Sequence, residues 1–143
     1  MSITVLQGRG IYGGVTEGET IVTQQMLSFM GGVDPVKGVI TEKGHDLLGQ
    51  KLKDRILVFQ SLKGSAAAMW IISRLTTHGQ KPKALVVEKA DAIFIGGVVM
   101  GEITALECPQ CSGKLFSGQI VRVNGNDGTI TILPERGWSS GGI

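Results

Sequence analysis

The amino-acid sequence predicts an α/β domain with a β-rich, barrel-like body, one strand-helix-strand crossover and a C-terminal hairpin, formed by residues 1–143 as a single unit. Three observations support this class. The 22 glycines have no repeating period and include several Gly-Gly pairs, which suits tight turns between short strands. Several short segments are rich in Val and Ile. One stretch alone carries helix signals at both of its ends.

The predicted strands are short segments bounded by Gly, Pro, Asn or Asp. The last two are separated by residues 124–128, Asn-Gly-Asn-Asp-Gly, which all tolerate positive φ angles, so we expect a hairpin there. The six segments are residues 20–23, 56–59, 84–87, 92–95, 119–123 and 129–133.

The predicted helix covers residues 66–78. Ser65 stands at the N-cap position and Gly79 follows the last helical residue. Because this helix lies between the predicted strands 56–59 and 84–87, the three segments form a unit of suitable length for a right-handed parallel crossover. The apolar residues at helical spacing are Ala68, Ile71, Ile72 and Leu75.

Charge and hydropathy disfavour two classes of protein. The chain carries 14 Lys and Arg against 12 Asp and Glu, a net charge of +2, and the basic residues are scattered, so no nucleic-acid-binding stripe is expected. No apolar run approaches the roughly 20 residues that span a bilayer. The N-terminal residues lack the basic and apolar regions of a secretory signal. We therefore expect a cytoplasmic protein without a membrane segment.

The loop between the first crossover strand and the helix holds Lys63, Gly64 and Ser65. It combines a cation, a flexible glycine and a hydroxyl at the carboxyl end of a strand, where α/β proteins bind ligands. The N–H groups of the first helical turn favour an anion there, including a Ser65 alkoxide or a substrate carboxylate or phosphate. The alternative is that Ser65 is only an N-cap. The order Lys-Gly-Ser, without a preceding glycine at the required spacing, excludes a Walker A loop.

A second region, residues 29–49, is a long loop punctuated by glycines that include Gly31 and Gly32. Its polar residues could bind a metal or exchange protons, or they could simply form turns, which short polar residues favour for conformational reasons. Asp34 precedes a proline, which suits turn initiation. The polar residues concerned are Asp34, Glu42, His45 and Asp46.

Cys108 and Cys111 form a Cys-Pro-Gln-Cys motif, which is half of a four-ligand zinc site. No second pair exists in the sequence, and only His45 and His78 could add imidazole ligands. Two cysteines are also too few for an iron–sulfur cluster that needs three or four protein ligands. We expect reduced thiols near a turn, and a redox or metal role is the alternative.

An ordered series of motifs covers nearly the whole chain. The motifs are Gly31-Gly32-Val33-Asp34-Pro35, Gly38-x-Ile40, His45-x-Leu47-x-Gly49, Ile56-Leu57-Val58-Phe59, Lys63-Gly64-Ser65, residues 81–87, residues 92–99 and residues 118–131. Together they resemble the swivel domain, or small subunit, of the aconitase X family.

The resemblance implies a swivelling β/β/α fold and a hydro-lyase that is active only as a heterodimer. In the family, a large subunit carries most of the substrate site and an iron–sulfur cluster or other metal, and the substrates include cis-3-hydroxy-L-proline and 5-phosphomevalonate. Ser65 matches the serine that accepts the substrate proton, while the metal takes the hydroxide. The other matching positions would bind substrate or support the loops; they are Lys63, Gly64, Gly31, Gly32, Asp34 and His45.

Three positions around Ser65 depart from the family pattern, in which the strand continues Phe-Pro-x-Gly-Lys-Gly-Ser. Here Gln60 replaces the proline, Leu62 replaces the glycine, and Ala66 follows Ser65 instead of a small hydroxyl residue. The alternative function is therefore a non-catalytic binding or regulatory module that retains the swivel fold.

Overall fold

The computed structural model describes residues 3–134, and a sheet of eight strands forms the centre of that part of the chain. The strands are β1 (Thr4–Gln7), β2 (Arg9–Tyr12), β3 (Val15–Val22), β4 (Val33–Asp34), β5 (Val39–Ile40), β6 (Arg55–Phe59), β7 (Ala84–Val87), β8 (Ala105–Glu107), β9 (Ile120–Asn124) and β10 (Thr129–Ile132). The helices are α1 (Ala68–Thr77), α2 (Ala92–Gly101) and α3 (Cys111–Lys114).

The order of strands in the large sheet is β1-β10-β9-β3-β6-β7-β8-β2. Strands β3, β6, β7 and β8 pair in parallel, whereas β9 pairs antiparallel with β3 and with β10. The predicted strand-helix-strand unit is confirmed as β6-α1-β7, and the predicted C-terminal hairpin is confirmed as β9-β10. Strands β4 and β5 form a separate small hairpin.

Residues 4–12, which contain β1 and β2, close the sheet into a barrel. Strand β1 pairs with β10 at one edge, and β2, which follows after Gly8, pairs with β8 at the other edge. The backbones cross closely at this junction, because a Cβ on Gly10 would overlap the carbonyl oxygen of Gly125. An ion pair between Arg9 and Glu107, with N and O 3.1 Å apart, joins the closing strands. The predicted barrel-like body is therefore confirmed.

Side chains of the sheet alternate between two cores, as the pleat of a strand requires. On β6, Ile56 and Val58 point into the barrel, where they meet buried residues such as Val121. Leu57 and Phe59 point outwards into a second core that contains the buried faces of α1 and α2. The central strand is thus apolar on both faces, which explains its unbroken run of large aliphatic and aromatic residues.

The prediction of a strand at residues 92–95 is wrong, because they form the first turn of helix α2. Asp91 caps this helix by accepting a hydrogen bond from the N–H of Phe94 at 2.8 Å. Residues 92–99 are all apolar and include Gly96 and Gly97, so they have the composition of a buried strand. Tertiary packing decides instead for a helix, since Gly96 and Gly97 let α2 approach α1 closely.

Helix α1 begins later than predicted. Its N-cap is Ala67, not Ser65, so the prediction that Ser65 occupies the N-cap position is wrong. The Ser65 hydroxyl oxygen instead accepts the N–H of Ala67 at 3.0 Å, in the turn before the helix. Gly79, with φ 73°, ends the helix as predicted. No helix within residues 3–134 has the length and apolar character needed to cross a membrane.

Candidate active site

The candidate site lies where the parallel strands β3, β6 and β7 end, because their carboxyl ends meet at one end of the barrel. The segment after β3 runs beside the loop after β6. The N–H of Leu27 donates to the carbonyl of Ser61 at 3.1 Å, and the N–H of Lys63 donates to the carbonyl of Leu27 at 3.1 Å. These bonds hold the Lys63-Gly64-Ser65 loop against a segment that is distant in sequence.

A salt bridge between Lys63 and Glu42 forms the centre of the site, with Nζ and Oε2 2.5 Å apart. The other carboxylate oxygen of Glu42 accepts the N–H of Ser28 at 2.9 Å. Burial alone would raise the pKa of Glu42, but the hydrogen bonds from Lys63 and Ser28 outweigh it and lower the pKa below its ordinary value of 4.5. Glu42 is therefore an ionised anchor that joins three segments of the chain.

The glycines predicted to belong to the site shape its backbone. A Cβ on Gly32 would overlap the carbonyl oxygen of Ser28, so no larger residue fits there. The carbonyl of Gly32 accepts the N–H of Thr41 at 2.8 Å, next to Glu42. Gly31 and Gly64 have φ angles of 85° and 98°, in the region that favours glycine. All three therefore support the loops that carry Glu42 and Lys63.

His45 is a buried structural element of the site, with its side chain only 1% exposed. Its Nδ1 accepts the N–H of Leu47 at 3.0 Å, and its Nε2 lies 3.0 Å from the carbonyl oxygen of Met26. A ring that accepts at Nδ1 and donates at Nε2 is neutral. Asp46 lies 3.3 Å from the same Nδ1, but both atoms are acceptors in this tautomer and no ion pair forms. Asp46 instead accepts the hydroxyl of Thr23 at 3.0 Å.

Asp34 forms a turn within residues 34–38. Its carboxylate accepts the N–H groups of Val36 and Lys37 at 2.9 and 3.1 Å. Its carbonyl accepts the N–H of Gly38 at 2.7 Å. These contacts match the turn-initiating role that an Asp before proline suggests.

An open cleft of about 470 Å³ runs along the Lys63–Glu42 pair. Its charged side chains are Lys43, Lys63 and the ionised Glu42, so the lining keeps a net positive charge, which suits an anionic ligand. Ser65 is exposed two residues beyond Lys63 and is not part of this lining. The lining residues are Gln25, Met26, Glu42, Lys43, Gly44, His45, Gln60 and Lys63.

A protein family described as the aconitase X swivel domain matches residues 5–132 of this chain. The chain belongs to that family. It is 42% identical over 130 residues to the phosphomevalonate dehydratase small subunit of Pyrococcus furiosus, with 91% of this chain and 96% of that protein covered. The protein of the same name from Methanosarcina acetivorans is 33% identical over 134 residues, with 92% and 93% covered.

The structure of this swivel domain also resembles a solved member of the family. It matches the crystal structure of the holo-form of Thermococcus kodakaraensis aconitase X with a TM-score of 0.88 and 38% sequence identity. The match covers 92% of this chain and 99% of the crystallised chain. The swivelling fold expected from the sequence is therefore confirmed.

The expectation that Cys108 and Cys111 are reduced thiols is wrong, because a disulfide joins them. Both cysteines are buried in the apolar interior of the barrel. The alternative of a redox role for the Cys-x-x-Cys pattern is compatible with a disulfide. Only the fold shows that the pair lies in an apolar core. Within residues 3–134 of the swivel domain, no three His, Cys, Asp or Glu side chains are grouped so that they could hold a metal ion.

Sequence reasoning missed several polar residues that line the carboxyl end of the barrel. Gln25 lies between the cleft at Lys63 and a second cleft of about 470 Å³. Glu88, directly after β7, accepts a short hydrogen bond from the hydroxyl of Ser112. A signal was available for Gln25 and Glu88, since each follows a predicted strand. None pointed to Ser112, which follows β8, a strand that was not predicted.

Proposed function

We propose that this swivel domain is the small subunit of a two-subunit hydro-lyase that removes water from phosphomevalonate, with Ser65 as the proton acceptor. One observation carries the proposal. Over nearly the full length of both chains, the domain is similar to proteins named phosphomevalonate dehydratase small subunit. The Lys63-Gly64-Ser65 loop at the carboxyl end of β6 is the part of the domain that suits this chemistry.

The charge of the cleft supports an anionic substrate. Phosphomevalonate carries a phosphate and a carboxylate, and the cleft offers the ammonium groups of Lys43 and Lys63. The Lys63 side chain is half exposed, so its ammonium can turn from Glu42 towards a substrate oxygen while the backbone of the loop stays in place. The amide groups of Gln25 and Gln60 add hydrogen-bond partners for a hydroxyl or carboxylate.

The environment of Ser65 supports a role as base only in a closed complex. Dehydration of a β-hydroxy acid requires a group that takes a proton from carbon. The N–H of Ala67, the N-cap residue of α1, donates to the Ser65 oxygen at 3.0 Å, so this hydrogen bond and the helix dipole both stabilise a negative charge on that oxygen. Ser65 is exposed in this chain, and a large subunit that covers it would exclude water and strengthen both interactions.

Residues 3–134 of this chain do not fit an iron–sulfur cluster. No suitable group of three ligands exists in its described part, and the two cysteines are bonded to each other. We therefore assign the cluster or other metal to the large subunit. Under this assignment the isolated small subunit is inactive.

Exposed apolar side chains beside the clefts mark the surface that we assign to the large subunit. Met26 lines the cleft at Lys63, and Phe116 lines the neighbouring cleft. Met30 follows the segment that pairs with the loop after β6, and all three side chains are exposed. Apolar groups next to a polar cleft are typical of a surface that a partner buries.

Co-expression with the large aconitase X subunit of the same organism tests the proposal. The two chains should elute together in size-exclusion chromatography, and only the pair should dehydrate phosphomevalonate. cis-3-Hydroxy-L-proline, the other substrate implied for the family, serves as the comparison substrate and should not turn over. Separate elution, or a complex that binds phosphomevalonate without converting it, would favour a non-catalytic binding module.

A further inference from the structure

Residues 108–118 connect β8 to β9 and cross the end of the barrel at which the parallel strands finish. We call this segment the barrel plug. It is fixed at both sides of the barrel mouth. The N–H of Cys108 donates to the carbonyl of Val87 at the end of β7, at 2.7 Å. On β3, the hydroxyl of Thr20 donates to the carbonyl of Phe116 at 2.7 Å.

The disulfide between Cys108 and Cys111 lies on the inner side of the barrel plug. The two cysteines are 1% and 0% exposed and belong to the apolar core inside the barrel, together with Val86 and Leu115. Cys111 also begins α3, and its carbonyl accepts the N–H of Leu115 at 2.9 Å. The bond therefore fixes the first turn of the plug relative to β8 and the core.

The outer side of the barrel plug forms one wall of the second cleft, which neighbours the cleft at Lys63 and shares Gln25 with it. Ser112 binds Glu88, and the hydroxyl of Ser117 accepts the N–H of Val22 at 2.8 Å. The opposite wall contains Gln25 and Asp46, which are joined by a 3.2 Å hydrogen bond. The position of the plug consequently sets the width of this cleft.

We propose that the Cys108–Cys111 disulfide is a redox-controlled lock that keeps the barrel plug seated, and that a dithiol reductant releases it. One thiolate of the dithiol attacks one sulfur of the protein disulfide, which forms a mixed disulfide and releases the other cysteine. The second thiolate of the reductant then attacks the reductant's own sulfur in the mixed disulfide and releases the remaining cysteine. The S–S bond of the protein breaks, two electrons and two protons end on Cys108 and Cys111, and the reductant becomes a disulfide.

Burial of the sulfurs makes the lock dependent on local opening. A reductant cannot reach either sulfur while Leu115 and the rest of the plug cover them, so reduction requires the plug to lift transiently. Once reduced, the plug has lost a cross-link that restricted its open states, and it stays more mobile. The lock operates in the isolated chain and does not require the proposed dehydration.

The test compares the oxidised and reduced forms of the unaltered chain. Thiol titration in denaturant should find no free thiol before reduction and two after treatment with dithiothreitol under native conditions. Amide hydrogen exchange in residues 108–118 should then accelerate about tenfold or more, while the β9-β10 hairpin stays unchanged as an internal reference. Reoxidation should restore the slow exchange.

Two variants serve as controls. The double variant C108A/C111A keeps the pocket in the core apolar and should show fast plug exchange that dithiothreitol does not alter. The variant Ser112→Ala keeps the disulfide but removes the hydrogen bond to Glu88, so native reduction should become faster. The proposal is overturned by two free thiols in the untreated protein, by a disulfide that dithiothreitol reduces only in denaturant, or by plug exchange that is equal in both redox states.

Discussion

The hydroxyl oxygen of Ser65 accepts the N–H of Ala67 at 3.0 Å, and in the proposed reaction the same oxygen accepts the substrate proton. Loss of the hydroxyl has a small effect through the first role and a large effect through the second. Loss of the hydrogen bond costs about 1 kcal/mol of stability, whereas loss of a general base lowers the rate by about 10²–10⁴. Ser65→Ala in the complex with the large subunit should therefore remove nearly all turnover while the two chains still assemble.

The variant Ser65→Gly is the matched control, because it also lacks the hydroxyl but places a different constraint on the backbone. Both variants should be folded and inactive, as judged by circular dichroism and by the dehydration rate. Hydrogen–deuterium exchange at the acidic carbon of the substrate identifies the base directly. Exchange at the parental rate in either variant would show that the base lies on the large subunit and that Ser65 is structural.

The Lys63–Glu42 pair predicts a pH dependence of stability. The pKa of Glu42 in the folded chain is below its ordinary value of 4.5. Its carboxylate therefore stabilises the fold above pH 4.5, and this contribution disappears as the pH falls through the lowered pKa. At pH 7, Glu42→Gln should lower the free energy of unfolding by about 1 kcal/mol.

Urea unfolding at several pH values measures this effect. The difference in stability between the parental chain and Glu42→Gln should be largest near neutral pH and should shrink steadily below pH 4.5. A difference that is constant between pH 7 and the acid limit would show that the charge of Glu42 does not contribute.

At the scale of elements, the contact between α1 and α2 depends on two glycines that differ in what surrounds them. A Cβ on Gly97 would lie 2.9–3.0 Å from the Cδ1 and Cβ atoms of Ile72, and the latter is close to the backbone of α1. A Cβ on Gly96 would lie 2.5 Å from the sulfur of Met69, the flexible end of a long side chain. Met69 can move aside, but Ile72 cannot.

This difference predicts an order of stability for two matched variants. Alanine gains up to about 1 kcal/mol over glycine in a helix interior, and only Gly97→Ala must also overpack a fixed neighbour, at about 1–3 kcal/mol. Gly97→Ala should therefore be less stable than Gly96→Ala by about 1–2 kcal/mol in chemical denaturation. Equal stability, or the reverse order, would contradict the close packing of α2 on α1.

For the whole molecule, closure of the barrel depends on the crossing of β2 with the β9-β10 turn. A Cβ on Gly10 would overlap the backbone of Gly125, and backbone atoms cannot move aside as a side-chain end can. Gly10→Ala should lower the stability of the chain by about 2 kcal/mol or more. Thermal unfolding would show this as a clear fall in Tm.

Gly113→Ala is the control for this variant, because a Cβ there meets no atom within 4 Å. It should leave Tm nearly unchanged. A Gly10→Ala chain with parental Tm would show that β1 and β2 do not close the sheet as described.

The parts of the fold that the sequence predicts are those with strong local signals. The unit β6-α1-β7 combines two short apolar strands with a helix that has apolar residues at helical spacing and ends just before Gly79. The β9-β10 hairpin surrounds a turn of residues that accept positive φ angles. The strands that close the barrel, β1, β2 and β8, carry no such signals, because they contain polar or small residues and acquire their pairing from distant strands.

At the candidate site, the sequence by itself determined the loop of Lys63, Gly64 and Ser65, because its position depends only on the order of a strand and a helix. Tertiary structure decided which side chains contact this loop. Glu42 reaches Lys63 across 21 residues, and α2 is a helix because α1 packs against it. Cys108 and Cys111 are bonded inside a barrel that only the closed sheet creates. Pairings of this kind depend on long-range packing, which no local pattern of residues encodes.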